Sequence, residues 1–249
     1  MWTKIKNFCI EEYKETKLLL RSVPALAMTF FVLAITIMNL LASKALVETS
    51  WLALDAGIIV SWLTFLSMDM IVRRFGPKAS IKISIVAALI NILVMAILTI
   101  AAAVPGDWGL NDYASGTNWW IIGASSAAFV VSGIVNSFLN WTIQKMFKKN
   151  LNGVAAYVAS SYGSTFIGQF VDNLVFALVF TYPASIIGLW GMSRMTVLAL
   201  FMFAITGAVV ELLCQVIFSP IGYRVAEKWR NREVGKEYLD YMESAGRAL

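Results

Sequence analysis

Eighteen of the twenty Lys and Arg residues fall in four clusters, at residues 4–21, 73–82, 145–149 and 224–247. Long apolar stretches separate them, and the connections near residues 44–55, 105–118 and 181–194 hold only Lys44 and Arg194. Cationic loops stay on the cytoplasmic side during insertion, so this alternation predicts six bilayer crossings with both termini in the cytoplasm. A chain of 249 residues has room for that many spans of about 20 residues each and little else. Only 14% of residues are charged, against roughly 25% in a soluble domain. The net charge of +5 belongs to the inner loops and matches an anionic leaflet, which argues against a nucleic-acid patch. The expectation is an all-α, multi-pass protein of the cytoplasmic (inner) membrane, folded as a compact six-helix bundle.

The spans are expected at about 23–47, 51–72, 79–104, 119–143, 154–180 and 195–222. This divides the chain into an N-terminal cytoplasmic or interfacial segment (1–22), the transmembrane domain (23–222) and a charged cytoplasmic tail (223–249). The opening segment sets Trp2, Ile5, Phe8, Cys9, Tyr13 and Leu20 among lysines and glutamates. It reads either as a helix on the inner surface or as a tail. It lacks the short apolar core and cleavage site of a signal peptide. Gly76-Pro77 and Pro105-Gly106 should break the chain, and Trp108, Trp119, Trp120 and Trp190 fall where an outer aromatic belt would sit. Cys9 and Cys214 are too far apart in the topology for a disulfide, and with no histidine the commonest metal ligand is missing. No cofactor is expected.

A charged side chain at the centre of a spanning helix costs roughly 2.5–3.5 kcal/mol on insertion. Such residues face a bundle interior or a wet cavity, and by default they mark a site. The fifth span carries Ala156, Ser160, Ser164 and Gly168 at intervals of four, a smooth stripe for close helix approach. An overlapping face carries Ser161, Thr165, Gln169, Asp172 and Asn173. Asp172 needs donors, a cation or a ligand if it is buried. The fourth span places Ala128, Ser132, Asn136, Asn140 and Gln144 four apart, as the wall of an aqueous path or as helix–helix hydrogen bonding. Asn39 lies in the first span with Lys44 near its outer end, and Glu211 and Gln215 lie one turn apart in the sixth. Asp69 precedes Arg73 by four residues, a spacing that permits a salt bridge along one helix. Substrate-binding candidates are therefore Asn39, Gln169, Asp172, Asn173, Glu211, Gln215 and Phe176. Gating or coupling candidates are Lys44, Asp69, Arg73, Asn136 and Asn140. No catalytic residue or metal ligand is expected.

Two of these segments carry a likeness. FLSMDMIVRRFGPKAS supplies Asp69, Val72, Arg73, Phe75 and Gly76, and GSTFIGQFVDNLVF supplies Ser164, Thr165, Gly168, Gln169, Asp172, Leu174 and Phe176. Asn39 of MNLLASK and Pro220 of FSPIGY match more loosely. In these segments the chain resembles the queuosine-precursor transporter family, also called the vitamin uptake transporter (VUT) family. Arg73 stands where many relatives carry Glu, and Glu211 has no firmly matched position. The resemblance implies import of a 7-deazaguanine base. A guanine-like edge offers two adjacent N–H donors beside a carbonyl, so a carboxylate can accept both while an amide donates to the carbonyl. Asp172 or Glu211 is expected to accept the donor pair, Gln169, Asn173 or Asn39 to read the carbonyl, and Phe176 or Tyr162 to stack on the ring.

The leading reading is a permease for a small planar, nucleobase-like substrate working by alternating access. The chain contains no G-x-x-x-x-G-K-[ST] loop, so it is not expected to power transport by itself. The alternative is the substrate-binding subunit of an energy-coupling-factor transporter that borrows ATPase and coupling subunits. Homo-oligomerisation remains open, as does a proton-coupled or facilitative mode. An intramembrane aspartyl enzyme built on Asp69 and Asp172 is a third reading, disfavoured because the two residues are expected in opposite halves of the bilayer.

Overall fold

The computed structural model describes residues 2–42, 44–48, 53–104, 116–147, 153–189, 194 and 196–246. Pro105-Gly106, Trp108 and Trp190 lie outside the described residues. Helix α1 (Trp2–Ser22) is amphipathic. Leu19 is buried, while Trp2, Ile5, Phe8, Tyr13 and Leu20 are exposed. Lys82 ties α1 to the bundle through Glu12 at 2.7 Å and Glu15 at 2.5 Å. Pro24 has no N–H to continue the ladder, and the chain turns by 103° into α2 (Ala25–Leu41).

At 1.5 Å per residue, the 17 residues of α2 reach about 25 Å. The expected first span to residue 47 is therefore too long. Residues Ala45–Glu48 form β1 and Ala53–Asp55 form β2, an antiparallel hairpin pairing Val47 with Leu54 and Glu48 with Ala53. The hairpin is the departure from an all-α chain among the described residues, and it also delays the second helix, α3, to Ile58–Phe75. Asp55 accounts for that start, because its Oδ1 accepts the Gly57 N–H at 2.7 Å.

Gly76 separates α3 from α4 (Pro77–Ala102) at φ 85° and ψ 171°, a conformation that only glycine adopts readily, and Pro77 then opens α4. We expect Gly76→Ala to cost about 1–3 kcal/mol in strain, read as a lowered Tm of the detergent-purified protein.

Helix α5 (Gly116–Phe147) is followed by α6 (Gly153–Phe176), a π-helical turn (Ala177–Thr181) and α7 (Tyr182–Ile186). The expected fifth span ended at 180, but helix continues to Ile186. Pro183 cannot donate to the Val179 carbonyl four residues back, and the indole N–H of Trp120 does so instead, at 3.1 Å. Helix α8 (Val197–Asn231) contains Pro220 and solves the same problem at Val216, whose carbonyl accepts from Ser219 at 3.2 Å and Tyr162 at 3.4 Å. Because α8 runs on to Asn231, the expected boundary near 222 lies inside a continuous helix. After Gly235, α9 (Lys236–Ser244) lays Tyr238 and Met242 against Phe75 and Trp229.

Helices α4, α5, α6 with α7, and α8 are each long and apolar enough to cross a membrane, and α1–α2 counts as a fifth if the bent pair is one span. Leu89, Leu93, Ile97, Leu213, Ile217 and Ile221 face outward, as lipid contact requires. The protein is a multi-pass helical membrane protein. Helix α3 sits at its centre, packed against α2, α4, α5, α6 and α8. One end of the bundle bears α1, α9 and most of the cations, and the other bears the hairpin.

Candidate functional site

One face of α3 carries Ser61, Phe65 and Asp69, each one turn from the next, with the polar side chains above and below the ring. Opposite them α6 presents Ser161, Thr165, Gln169 and Asn173 at the same interval. The two rows meet in register at two levels, about 12 Å apart along α3 at 1.5 Å per residue.

Asp69 organises the level nearer the basic end. It is fully buried. Its Oδ1 accepts from the amide nitrogens of Asn140 at 2.8 Å and Asn136 at 3.3 Å. Its Oδ2 accepts from Ser161 at 2.5 Å, Gln215 at 3.0 Å and Thr165 at 3.4 Å. Helices α5, α6 and α8 thus converge on one carboxylate of α3. Its anticipated salt bridge to Arg73 is absent, because the carboxylate points inward to these five donors. Arg73 instead pairs with Glu227 at 2.6 Å and lies over the rings of Tyr157 and Tyr223.

Glu211 organises the second level. Ser61 donates to its Oε1, and Asn173 donates to Oε2 at 3.4 Å. Asp172 turns toward α5 and accepts from Ser132 at 2.7 Å. Asn39 of α2 bonds the Ile35 carbonyl at 3.0 Å and accepts from Ser125 of α5. Nearby on the hairpin, burial pushes the Asp55 carboxyl up to about 6, partly offset by the Gly57 and Ile58 amides.

Between the two levels lie Phe65 and Gln169. Phe65 is buried, with its ring edge beside Gly168, where an added Cβ would come within 2.7 Å. Gln169 is 0% exposed, and neither its amide nitrogen nor its oxygen has a hydrogen-bond partner among the described residues. An unmet amide in a protein interior is costly, typically about 1–3 kcal/mol per group, and it calls for a ligand or water.

A cavity of about 500 Å³ opens at the basic end, lined by Arg73, Arg74, Trp141, Gln144, Lys145 and Glu227 among others. Gln144 links its wall to the interior. It donates to Asn140 at 2.5 Å, and Asn140 donates in turn to Asp69.

The candidates from sequence therefore separate. Asp69, Asn136, Asn140 and Gln215 form one cluster, Glu211 and Asn173 a second, and Gln169 lies between. Asp172 and Asn39 face α5 at their own serines. Phe176 packs with Phe180 in an apolar cluster with Ile121, Ala124 and Ala184, about two turns along α6 from Gln169. Lys44 is exposed beside the hairpin, outside the interior. Sequence reasoning passed over Ser61, Ser125 and Phe65, although Ser61, Phe65 and Asp69 share the spacing of four that marked the other helices. It also passed over Asn91 of α4, fully buried, whose amide has no hydrogen-bond partner among the described residues.

Comparison with curated proteins and with solved structures gives no match. A family model described as "Putative vitamin uptake transporter" matches residues 55–225, which span α3 to most of α8 and include both carboxylate clusters. The chain thus belongs to the vitamin uptake transporter family.

Proposed function

We propose that the protein imports a queuosine precursor, a 7-deazaguanine base, across the cytoplasmic membrane by alternating access. In this reading α2 and α3 complete six crossings with the four long spans, and the basic end with both termini faces the cytoplasm, as the distribution of Lys and Arg favours. The observation that carries it is the Gln169 amide between two buried carboxylates, with no hydrogen-bond partner among the described residues. A planar base at that level matches the polar groups available. Glu211 accepts its adjacent N–H pair, Gln169 donates to its carbonyl, and Phe65 contacts the ring face, a role for which its level suits it better than that of Phe176. Asp172, one turn from Gly168 on α6, neutralises an aminomethyl cation where the base carries one. The cavity lined by Arg73 and Glu227 is then the cytoplasmic vestibule.

The test is uptake into proteoliposomes containing this chain alone, with 7-deazaguanine bases, guanine and a panel of vitamins as substrates. Saturable uptake of the 7-deazaguanines, competed weakly by vitamins, is the expected result. A preference for another substrate overturns the base assignment. Uptake that requires added ATPase subunits replaces the permease with a substrate-binding subunit.

A further inference from the structure

Asp69 is surrounded more richly than a buried carboxyl needs. Five neutral side chains from three helices donate to it, and no Lys or Arg is bonded to it among the described residues. An ionised carboxylate in a bilayer interior requires a counter-charge. A protonated one would offer a donor and fewer acceptor sites, which does not suit five converging donors.

The second observation concerns acceptors. Asn136 and Gln215 are both 0% exposed, and each uses its amide nitrogen on Asp69. Each is left with an amide oxygen that has no hydrogen-bond partner among the described residues. The nitrogen and oxygen of an amide exchange places by a half-turn of its terminal bond. After that turn both oxygens face the Asp69 carboxyl, an arrangement that is repulsive unless a cation lies between, since a single proton on the carboxyl serves only one of the two.

We infer that Asp69, Asn136, Gln215, Ser161 and Thr165 form a binding site for a monovalent alkali cation, sodium. Oxygen ligands suit a hard cation; the sulfur beside the site, the Met68 thioether, contacts the Asn136 amide nitrogen at 3.9 Å, and the sequence has no histidine. The single carboxylate balances one positive charge. A divalent ion there would leave a net charge buried among neutral groups. Helices α3, α5, α6 and α8 each contribute a ligand, so occupancy ties together the four helices that also frame Gln169. The site follows from the surroundings of Asp69 alone and does not depend on what the protein transports.

The experiment measures thermal stability of the full-length purified protein in detergent, without substrate, while NaCl replaces choline chloride at constant ionic strength and pH. Sodium at about ten times its dissociation constant should raise Tm by roughly 3–6 °C, saturably. Asp69→Asn should abolish the response. Should that variant fail to fold, Thr165→Val decides, since it removes one oxygen with little change of shape and should weaken apparent sodium affinity by about tenfold or more. Glu211→Gln should keep the response. The proposal is overturned if sodium acts no differently from choline, if Asp69→Asn retains the shift, if Thr165→Val leaves the midpoint unchanged, or if the response follows Glu211 instead.

Discussion

Glu211→Gln is expected to lower affinity for a 7-deazaguanine base by about a hundredfold or more. The substitution keeps the volume of the side chain but replaces one carboxylate oxygen with an amide nitrogen. A base edge that donates two N–H groups then meets a donor, and a charge-assisted hydrogen bond of roughly 1.5–3 kcal/mol gives way to a buried clash of like groups. Gln169→Leu should cost less, about ten- to thirtyfold, because it removes a neutral hydrogen bond of about 1–2 kcal/mol and leaves the carbonyl of the base unpaired. The variants differ in a further respect. Gln169 has no hydrogen-bond partner to lose among the described residues, so its leucine variant should fold at least as stably as the parent protein while binding the base poorly. Equilibrium binding of labelled base, with Tm measured in parallel, separates the two effects. Unchanged affinity in both variants would remove the base from this level of the bundle.

Much of this arrangement was legible from residue spacing. Apolar runs between cationic clusters marked the helices, and polar residues recurring every four positions on α5 and α6 marked the faces that turn inward. Asn136, Asn140 and Gln144 do form one connected row, and Ser161 and Thr165 do share a target. Spacing did not reveal the targets themselves. Asp69 and Arg73 sit at the interval of a helix salt bridge, yet the partner of Arg73 is Glu227, on another helix. Local spacing permits a contact, but tertiary packing selects among the permitted ones. Serine was easy to overlook for a related reason. In a helix it can satisfy itself on a preceding carbonyl, as Ser67 does with Leu63, so a lone serine carries little signal. Ser61 becomes informative only when α8 brings Glu211 against it. The hairpin at 45–55 was missed because its strands, four and three residues long, are too short for an alternating pattern to stand out from the apolar span before it.

The two polar levels depend on one close approach, which leads to the second large effect. On α6, Ala156, Ser160, Ser164 and Gly168 form the small-residue stripe expected from sequence, and all four are buried. Gly168 leaves no room for a side chain. A Cβ there would lie 2.7 Å from the Phe65 ring of α3 and 2.9 Å from Cβ of Asn136 on α5. Both neighbours are held in place. Phe65 is enclosed in the centre of the bundle, and Asn136 is tied to Asp69. Neither can withdraw without moving a helix, so even Gly168→Ala should be destabilising, and Gly168→Val should cost at least the 1–3 kcal/mol typical of overpacking. The measurement is Tm of the purified variants, with a drop expected to grow from alanine to valine. Binding should suffer with it. Pushing α6 away from α3 shifts Gln169 relative to Glu211 and Thr165 relative to Asp69, so base affinity and sodium response should fall together. A control at Gly123 makes the comparison specific. That glycine also lies within a spanning helix, but an added Cβ there meets nothing within 4 Å, and Gly123→Ala should leave both properties and the Tm near their starting values. If Gly168→Val matched Gly123→Ala in stability, α3 and α6 would not be packed as closely as both carboxylate clusters require.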